Sequence, residues 1–345
     1  MNFPDGISIV VCTYNGSDRI MPTLQSIFSL NSDINIPWEL IIVNNGSTDN
    51  TSIICNNYIL KNDLQKKARL VIEDKLGCNN ARLKGLYESK YKWLLFCDDD
   101  NQLFPDYIDK AWKILESNAK IGVLGGQGLP LFEKEKPDWF DHYSKSFAIG
   151  PQGKRDGKIN TLSKKLYSAG SFFKKELLLN YYNNNFKTIM IGPHGNDLTR
   201  GEDTEWCILI QLLGYELWYS HELKFHHLMS ENRMTWSYFL NLKKGIASGT
   251  AKLSSYTLFY KSKSPINISF ILFYCYKCIY YNLIWFQFII RNKINKKRFK
   301  KQELQIAELV NYTKAISFID HFNLTYKHFK QIKATLKNIM KLETT

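Results

Sequence analysis

Nine residues set the terms for this chain: Trp93-Leu94-Leu95-Phe96-Cys97-Asp98-Asp99-Asp100-Asn101, an apolar run that ends in three consecutive carboxylates. The run is short and apolar enough to be a buried strand. The carboxylates then emerge at its C-terminal end, the edge where open α/β sheets hold their ligands. Two unit charges about 4 Å apart repel by roughly 1 kcal/mol in water and about 4 kcal/mol near a protein surface. Three in a row demand a cation. Oxygen-only ligands favour Mg²⁺ or Mn²⁺, and Mg²⁺ is usually shared with substrate phosphates. A solvated acidic turn is the plain alternative, and the flanking sequence argues against it.

Around this stretch the chain alternates strand-like and helix-like segments. Ile7–Thr13 is a short β-branched strand, followed by a turn at Tyr14-Asn15-Gly16. Ser17 is placed to cap a helix with Ile20, Leu24, Ile27 and Phe28 on one face. Trp38–Val43 and Ala68–Glu73 read as further strands, and Asn79–Ser89 as a helix carrying Arg82. Pro105 opens another helix, and Ile121–Gly126 is a fifth strand. This alternation predicts a doubly wound, mostly parallel sheet. Right-handed crossovers bring the strand C-termini to one edge, so Thr13, Asn44 and Asp98 are expected to share a cleft. No GxGxxG follows the first strand, which argues against a dinucleotide fold. Lys134–Asn160 and Tyr181–Gly201 read as long irregular segments, and Glu216–Tyr219 as a short strand. Gly201-Glu202-Asp203-Thr204-Glu205-Trp206 opens a helix; acids there are ordinary dipole partners unless they carry chemistry.

Charge divides the chain in two. Of the net +14, the part from Lys243 onward holds 19 Lys/Arg against 4 Asp/Glu, whereas the part before it is almost balanced. We therefore expect a globular domain over 1–242 and a basic, aromatic-rich helical region over 243–345. Seven scattered cysteines fit reduced, buried thiols and a cytosolic setting, and no basic stretch followed by an apolar run opens the chain. Cys275 and Cys278 form a lone CxxC in hydrophobic surroundings, a poor metal or redox site.

Taken together, several segments resemble one known pattern. They are Val10-Val11-Cys12-Thr13-Tyr14-Asn15, Val43 to Asp49, Asn80-Ala81-Arg82, Phe96 to Asn101, Gly201 to Glu205 and Arg233 to Trp236. In this order and spacing, residues 5 to about 240 resemble the family-two inverting glycosyltransferases of the GT-A fold. The resemblance implies metal-dependent transfer of a sugar from a nucleotide-diphosphate sugar, of UDP type, to a hydroxyl of a glycan acceptor. It implies that Thr13, Asn44 and Arg82 hold the base and ribose, and that Asp98 to Asp100 form the DxD-type motif. In that motif Asp98 and Asp99 lie toward the nucleotide, and Asp100 with Asp98 ligates Mn²⁺ or Mg²⁺. Asp203 becomes the general base, with Glu202 beside it. His227 is a further metal or diphosphate contact, Arg233 a diphosphate contact, and Trp236 a surface for stacking a sugar. Many relatives carry Asp where this chain has Asn44; Asn keeps a carbonyl acceptor and loses the charge. The rival readings are a nucleotidyltransferase of sugar-nucleotide synthesis and a non-catalytic, membrane-tethered nucleotide-sugar-binding protein. The first normally shows a Gly-rich basic loop after its first strand, which Thr13–Arg19 is not.

In the basic region, Ile266–Ile290 is long enough to span a bilayer, and Arg291–Lys301 holds seven basic residues. Lys327, Lys330, Lys333, Lys337 and Lys341 recur at helical spacing, with Phe329, Ile332, Leu336, Ile339 and Met340 elsewhere on the same helix. A true span would put the catalytic domain or the basic tail on the far side, and the positive-inside tendency opposes moving the tail. We favour helices lying in or dipping into an anionic cytoplasmic leaflet over a single span or a buried helical subdomain. That makes the chain peripheral at the inner face of the plasma membrane, with a lipid-linked acceptor. Nucleic acid is not an expected partner, because no recognition fold accompanies the basic residues.

Overall fold

The computed structural model describes residues 3–30, 35–159, 165–192, 199–262, 264–294 and 301–342. Strands form where the β-branched runs predict them: β1 (Ile7–Thr13), β2 (Trp38–Asn44), β3 (Ala68–Ile72) and β4 (Trp93–Asp98). β1, β2 and β4 are buried along nearly their whole length, as befits parallel strands covered on both faces. Helices α1 (Ile20–Phe28), α2 (Thr51–Lys61) and α3 (Cys78–Glu88) connect them. α1 buries Ile20, Leu24 and Ile27 at helical spacing, each contributing about 1.5–3 kcal/mol. Ser17 does not cap it: the helix starts after Arg19, and the Ser17 N–H instead donates to Asp49 (3.1 Å). Gly85 of α3 sits so close to β1 that an added Cβ would lie 2.3 Å from Val10 Cγ1. That approach seats the helix that carries Arg82.

The chain continues through β5 (Asn101–Leu103), α4 (Tyr107–Ser117), β6 (Ile121–Phe132), α5 (Phe140–Tyr143), β7 (Gly157–Lys158), β8 (Ser171–Lys174), α6 (Lys175–Asn183), α7 (Glu202–Leu212) and β9 (Glu216–Met229). The sheet order is β3-β2-β1-β4-β8-β6-β9-β5, with β7 paired to β9. Its first four strands are parallel, whereas β8 runs antiparallel to both β4 and β6. Two strands exceed their sequence reading: the fifth runs on to Phe132, and the short strand at Glu216 runs to Met229 because the two pair along their length. The Lys134–Asn160 stretch holds α5, a 3₁₀ turn and β7, while Asn160 lies outside the described residues.

Packing divides the chain into two units, Met1–Leu179 with Trp206–Met234, and Asn180–Glu205 with Thr235–Thr345. The charge-based boundary after Leu242 falls inside α8 (Trp236–Leu253), because side-chain charge changes there while packing does not. Thr235 caps that helix, its hydroxyl accepting the Tyr238 N–H at 3.2 Å. The second unit also contains α9 (Asn267–Ile294), α10 (Lys301–Asp320) and α11 (Phe322–Leu342). α11 buries Phe329, Ile332, Leu336 and Ile339 and leaves Lys327, Lys330, Lys337 and Lys341 exposed. Its apolar face is thus spent on packing within the unit. By length and composition, Asn267–Ile290 can cross a membrane. The basic run at 295–300 lies outside the described residues.

Glu205 holds this second unit together. It is fully buried and accepts from Tyr256 Oη (2.5 Å), the Ile189 N–H (3.1 Å), the Met190 N–H (3.3 Å) and the Thr188 hydroxyl. His328 Nε2 lies 3.6 Å from Glu205 and 3.2 Å from the Lys187 carbonyl, and its Nδ1 meets Ser255 Oγ at 3.1 Å. Burial pushes His328 down to about 3, so the imidazole is neutral. Burial also pushes the Glu205 carboxyl up to about 7, against the donors that favour its charge. Between the unfolded value of about 4.3 and the folded one, the folded state binds the extra proton. This group's contribution to stability is therefore full below that window and is lost as pH rises through about 7. We expect wild type to lose ground relative to Glu205→Gln between about pH 4 and pH 7, by up to about 3 kcal/mol, and to run parallel to it above that range, in denaturant unfolding. A wild-type-minus-variant difference that stays flat with pH would contradict this.

Candidate active site

The loops after β1 and β2 are laced together at the C-terminal edge of the parallel strands. Asn15, in the left-handed region at φ 47°, accepts the Thr48 N–H through its side chain (2.8 Å), and its own N–H donates to Ser47 Oγ (2.9 Å). The Gly16 N–H donates to Thr51 Oγ1 at 2.9 Å. Asn45 ties the next connection in, its amide donating to the carbonyls of Glu73 and Lys75 and its oxygen accepting the Gly77 N–H. The Asn-Gly-Ser-Thr-Asp stretch is therefore a side-chain scaffold as well as a turn.

Thr13 and Asn44 are register partners on β1 and β2, and Asp98 pairs with Cys12 on the other side of β1. The expected convergence of these strand ends is present. Asn44 is buried and turned into its own loop: Oδ1 accepts the Ser47 N–H (2.9 Å), and Nδ2 donates to Ser52 Oγ (2.5 Å).

The three carboxylates each meet a different arginine. Asp98, 36% exposed, is the open one, with Arg82 Nη2 3.6 Å from Oδ1. Arg82 is buried and lies over the Phe96 ring. Asp99 is buried and taken up entirely from the first loop. Arg19 forks onto it (Nε to Oδ1 3.0 Å, Nη2 to Oδ2 2.9 Å), and Thr13 Oγ1 donates to Oδ2 at 2.7 Å. The same guanidinium donates to the carbonyls of Tyr14 (2.9 Å) and Asn15 (2.8 Å), which fixes the loop. Gly16 leaves room for this: a Cβ there would lie 2.3 Å from Thr13 Oγ1 and 2.6 Å from Asp99 Oδ2.

Asp100 faces the other way. Arg233 Nη1 donates to its Oδ2, His227 Nε2 lies 3.4 Å from its Oδ1, and Asn101 Nδ2 donates to Oδ1 at 3.1 Å. The β5–β9 register produces this, since Asn101 pairs with His227 and the Leu228 N–H donates to the Asp100 carbonyl (2.9 Å). Burial disfavours charge on Asp100, but His227 and Arg233 outweigh it and hold the carboxyl well below the usual range. Burial and the neighbouring Asp100 charge push Asp99 the other way, partly offset by Arg19 and Thr13. Of the adjacent pair, Asp100 holds its charge more firmly.

Among the described residues no cluster of three or more His, Cys, Asp or Glu side chains is preformed for a metal. The local chemistry nonetheless fits a divalent ion that takes most of its ligands from phosphates. Asp100 supplies a carboxylate oxygen, the His227 ring nitrogen nearest to it, Nε2, lies 3.4 Å away, and Asp98 is open to solvent. Glu202 and Asp203 are carried by the second unit, on the first turn of α7. Glu202 is buried and accepts the Gly201 N–H (3.0 Å), while half-buried Asp203 accepts the Thr204 N–H (2.6 Å). Trp236, in the same unit, donates its indole N–H to Gln305 (2.9 Å). Arg19, given no role in the sequence analysis, hydrogen-bonds both oxygens of Asp99 and two loop carbonyls; only its position four residues after Asn15 hinted at it.

A parallel half-sheet that gathers Thr13, Asn44 and an acidic turn at one edge is the GT-A type of α/β protein. A model of the family described as glycosyl transferase family 2 matches residues 8–181, and the chain belongs to that family. It is similar to the poly-β-1,6-N-acetyl-D-glucosamine synthase of Staphylococcus epidermidis, with 29% identity over 122 residues. That match covers 35% of this chain and 28% of the relative's length. It is also similar to the glucosyl-dolichyl phosphate glucuronosyltransferase of Haloferax volcanii, 22% identical over 244 residues, covering 69% of this chain and 75% of that protein. The crystal structure of S. aureus TarS 1–349 shares the fold at a TM-score of 0.50 and 15% identity, over 94% of this chain and 91% of that one.

The Arg19–Asp99 fork is the part of this site whose energetics are cleanest to isolate. We expect Arg19→Ala to destabilise the chain by about 2 kcal/mol, less than the 3–5 of a fully buried pair because Arg19 is partly exposed. Arg19→Lys should fail to restore it, lacking the fork. A double-mutant cycle with Asp99→Asn in urea measures the coupling, and a value under about 0.5 kcal/mol would contradict the assignment.

Proposed function

We propose that this chain transfers a sugar from a nucleotide-diphosphate sugar, of UDP type, to a hydroxyl of a glycan acceptor with inversion at the anomeric carbon. The observation that carries the reading is the acidic turn at the strand edge, each carboxylate held by its own arginine beside Thr13 and Asn44. Thr13, Asn44 and Arg82 bind the nucleoside, and Asn44 Oδ1 keeps a second lone pair for the base. Asp98 faces the ribose and diphosphate. Asp99 reaches the nucleotide indirectly, by fixing the Thr13–Arg19 loop. Arg233 meets a diphosphate oxygen, and Asp100, with Asp98 and His227, would hold Mn²⁺ or Mg²⁺. When bound, that ion offsets charge on the leaving diphosphate. Asp203 takes the proton from the acceptor hydroxyl as it attacks, Glu202 orients the base or acceptor, and Trp236 offers a ring face to a sugar. Inversion follows if that base acts on the face opposite the leaving group.

The acceptor is lipid-linked in this reading, and the chain is peripheral at the cytoplasmic face of the membrane. Two things support that: the apolar, basic second unit, and a relative whose name places its acceptor on dolichyl phosphate. The nucleotidyltransferase reading gains nothing from the first loop, which is laced by side chains and is not a glycine-rich phosphate cradle.

The test is hydrolysis or transfer with a panel of UDP-, GDP- and dTDP-sugars. Activity should vanish in chelator and return with Mn²⁺. Asp203→Asn should lower kcat by about 10³-fold while donor affinity holds, and Asp100→Asn should weaken donor binding as well. An unimpaired Asp203→Asn enzyme would remove the base. Pyrophosphate release from a nucleoside triphosphate would replace the whole reading.

A further inference from the structure

The helix α9 has two unlike faces. One is docked along its length inside the helical unit. Phe270 stacks on Phe329 with centroids 4.4 Å apart, Tyr274 packs on Phe322 (5.2 Å), Tyr281 stacks on Phe318 (5.0 Å) and Trp285 meets Tyr312 (5.2 Å). Rising numbers on α9 meet falling numbers on α11 and α10, so α9 lies antiparallel against both. The other face carries Ile268, Leu272, Ile279, Leu283, Phe286 and Ile290 at steps that keep them on one stripe, each more than 40% exposed. No exposed residue from 268 to 290 is charged. Monomeric soluble proteins rarely present so long an apolar strip.

The helices beside α9 decide how the strip is used. α10 and α11 carry exposed Glu303, Glu308, Asp320, Lys327 and Lys330. If α9 crossed a bilayer with its docked partners, those charges would be carried into hydrocarbon, where charged side chains are rare and costly. Away from the strip the same helix mixes basic and aromatic groups: Lys277 lies over Tyr276, Tyr280 and Tyr281, and Lys314 also lies over Tyr281. Beyond Ile290 the sequence enters the seven basic residues of 291–301. A second copy on this strip would set two strongly basic regions against each other, whereas an anionic leaflet offsets that charge.

We propose that α9 lies in the plane of an anionic lipid leaflet, with the Ile268–Ile290 stripe at the headgroup–acyl boundary and no crossing of the bilayer. This deepens the peripheral placement proposed above and, as an acceptor-delivery device, rests on that reading. The binding itself does not.

The experiment is flotation of the full chain with phosphatidylcholine vesicles, with and without about 30% phosphatidylglycerol. Wild type should float with the anionic vesicles. Leu272→Ser/Ile279→Ser/Phe286→Ser, all at exposed positions, should lower partitioning about tenfold or more with an unchanged circular dichroism spectrum and unchanged metal-dependent donor hydrolysis. Partitioning that matches wild type would overturn the proposal, as would a wild-type dimer that the variant converts to monomer without a change in vesicle binding. Protease digestion of a C-terminal tag from the cytoplasmic side of membrane vesicles is expected, and its protection would establish a span instead. If neither protein hydrolyses any donor while the difference in flotation persists, the transferase reading fails and this one stands.

Discussion

Everything at the strand edge follows from the repulsion among Asp98, Asp99 and Asp100. The chain answers it by giving each carboxylate a separate arginine from a separate place: Arg82 from α3, Arg19 from the loop before α1, and Arg233 from the turn after β9. Those three contacts reach 16, 80 and 133 residues along the sequence. One acidic turn therefore pins the first connection, the third helix and the last strand of the sheet to a common point. Losing any one arginine leaves a buried or half-buried carboxylate with less compensation, which costs more than the pair itself contributes.

The same arrangement revises the argument for a metal. Taken as bare charges, three carboxylates demand a divalent ion. In the fold, three guanidinium groups already provide that compensation, and Asp100 is held firmly ionised by His227 and Arg233. On the proposed reading, a diphosphate and a divalent ion entering together would bring nearly balanced charge, which would let Arg82 and Arg233 turn toward phosphate oxygens. The cost of assembling the acidic edge is met within the polypeptide, and ligand charge can be exchanged against it. Asp98, the most exposed of the three and the most loosely paired, would on that reading be the first contact.

Much of the first half was legible because its signals are local. Short β-branched runs such as Ile7–Thr13 and Trp38–Val43 leave few alternatives to buried strands, and the motifs follow directly at their ends. The amphipathic spacing of α11 was legible for the same reason, although its apolar face packs inward. What escaped depended on distant partners. Nothing near Arg19 in the sequence says that it will fork onto Asp99, and the Glu216 strand reads as short because Lys224, His226 and His227 interrupt its apolar pattern before pairing with β6 and β5 extends it. The grouping of Asn180–Glu205 with the helical unit was likewise invisible, since it is made by long-range contacts such as Tyr256 to Glu205, His328 to the Lys187 carbonyl and Arg200 to Gly245 that composition does not encode.

The claim on which the rest turns is that this arginine-compensated acidic edge takes a nucleoside diphosphate and a divalent cation jointly. Calorimetric titration of UDP into the full chain, with Mn²⁺ and again in chelator, measures that coupling directly. The account predicts that Mn²⁺ tightens UDP binding about tenfold or more and that Asp100→Asn abolishes the difference. Equal affinity with and without the ion, or an Asp100→Asn protein that keeps the full difference, would contradict it.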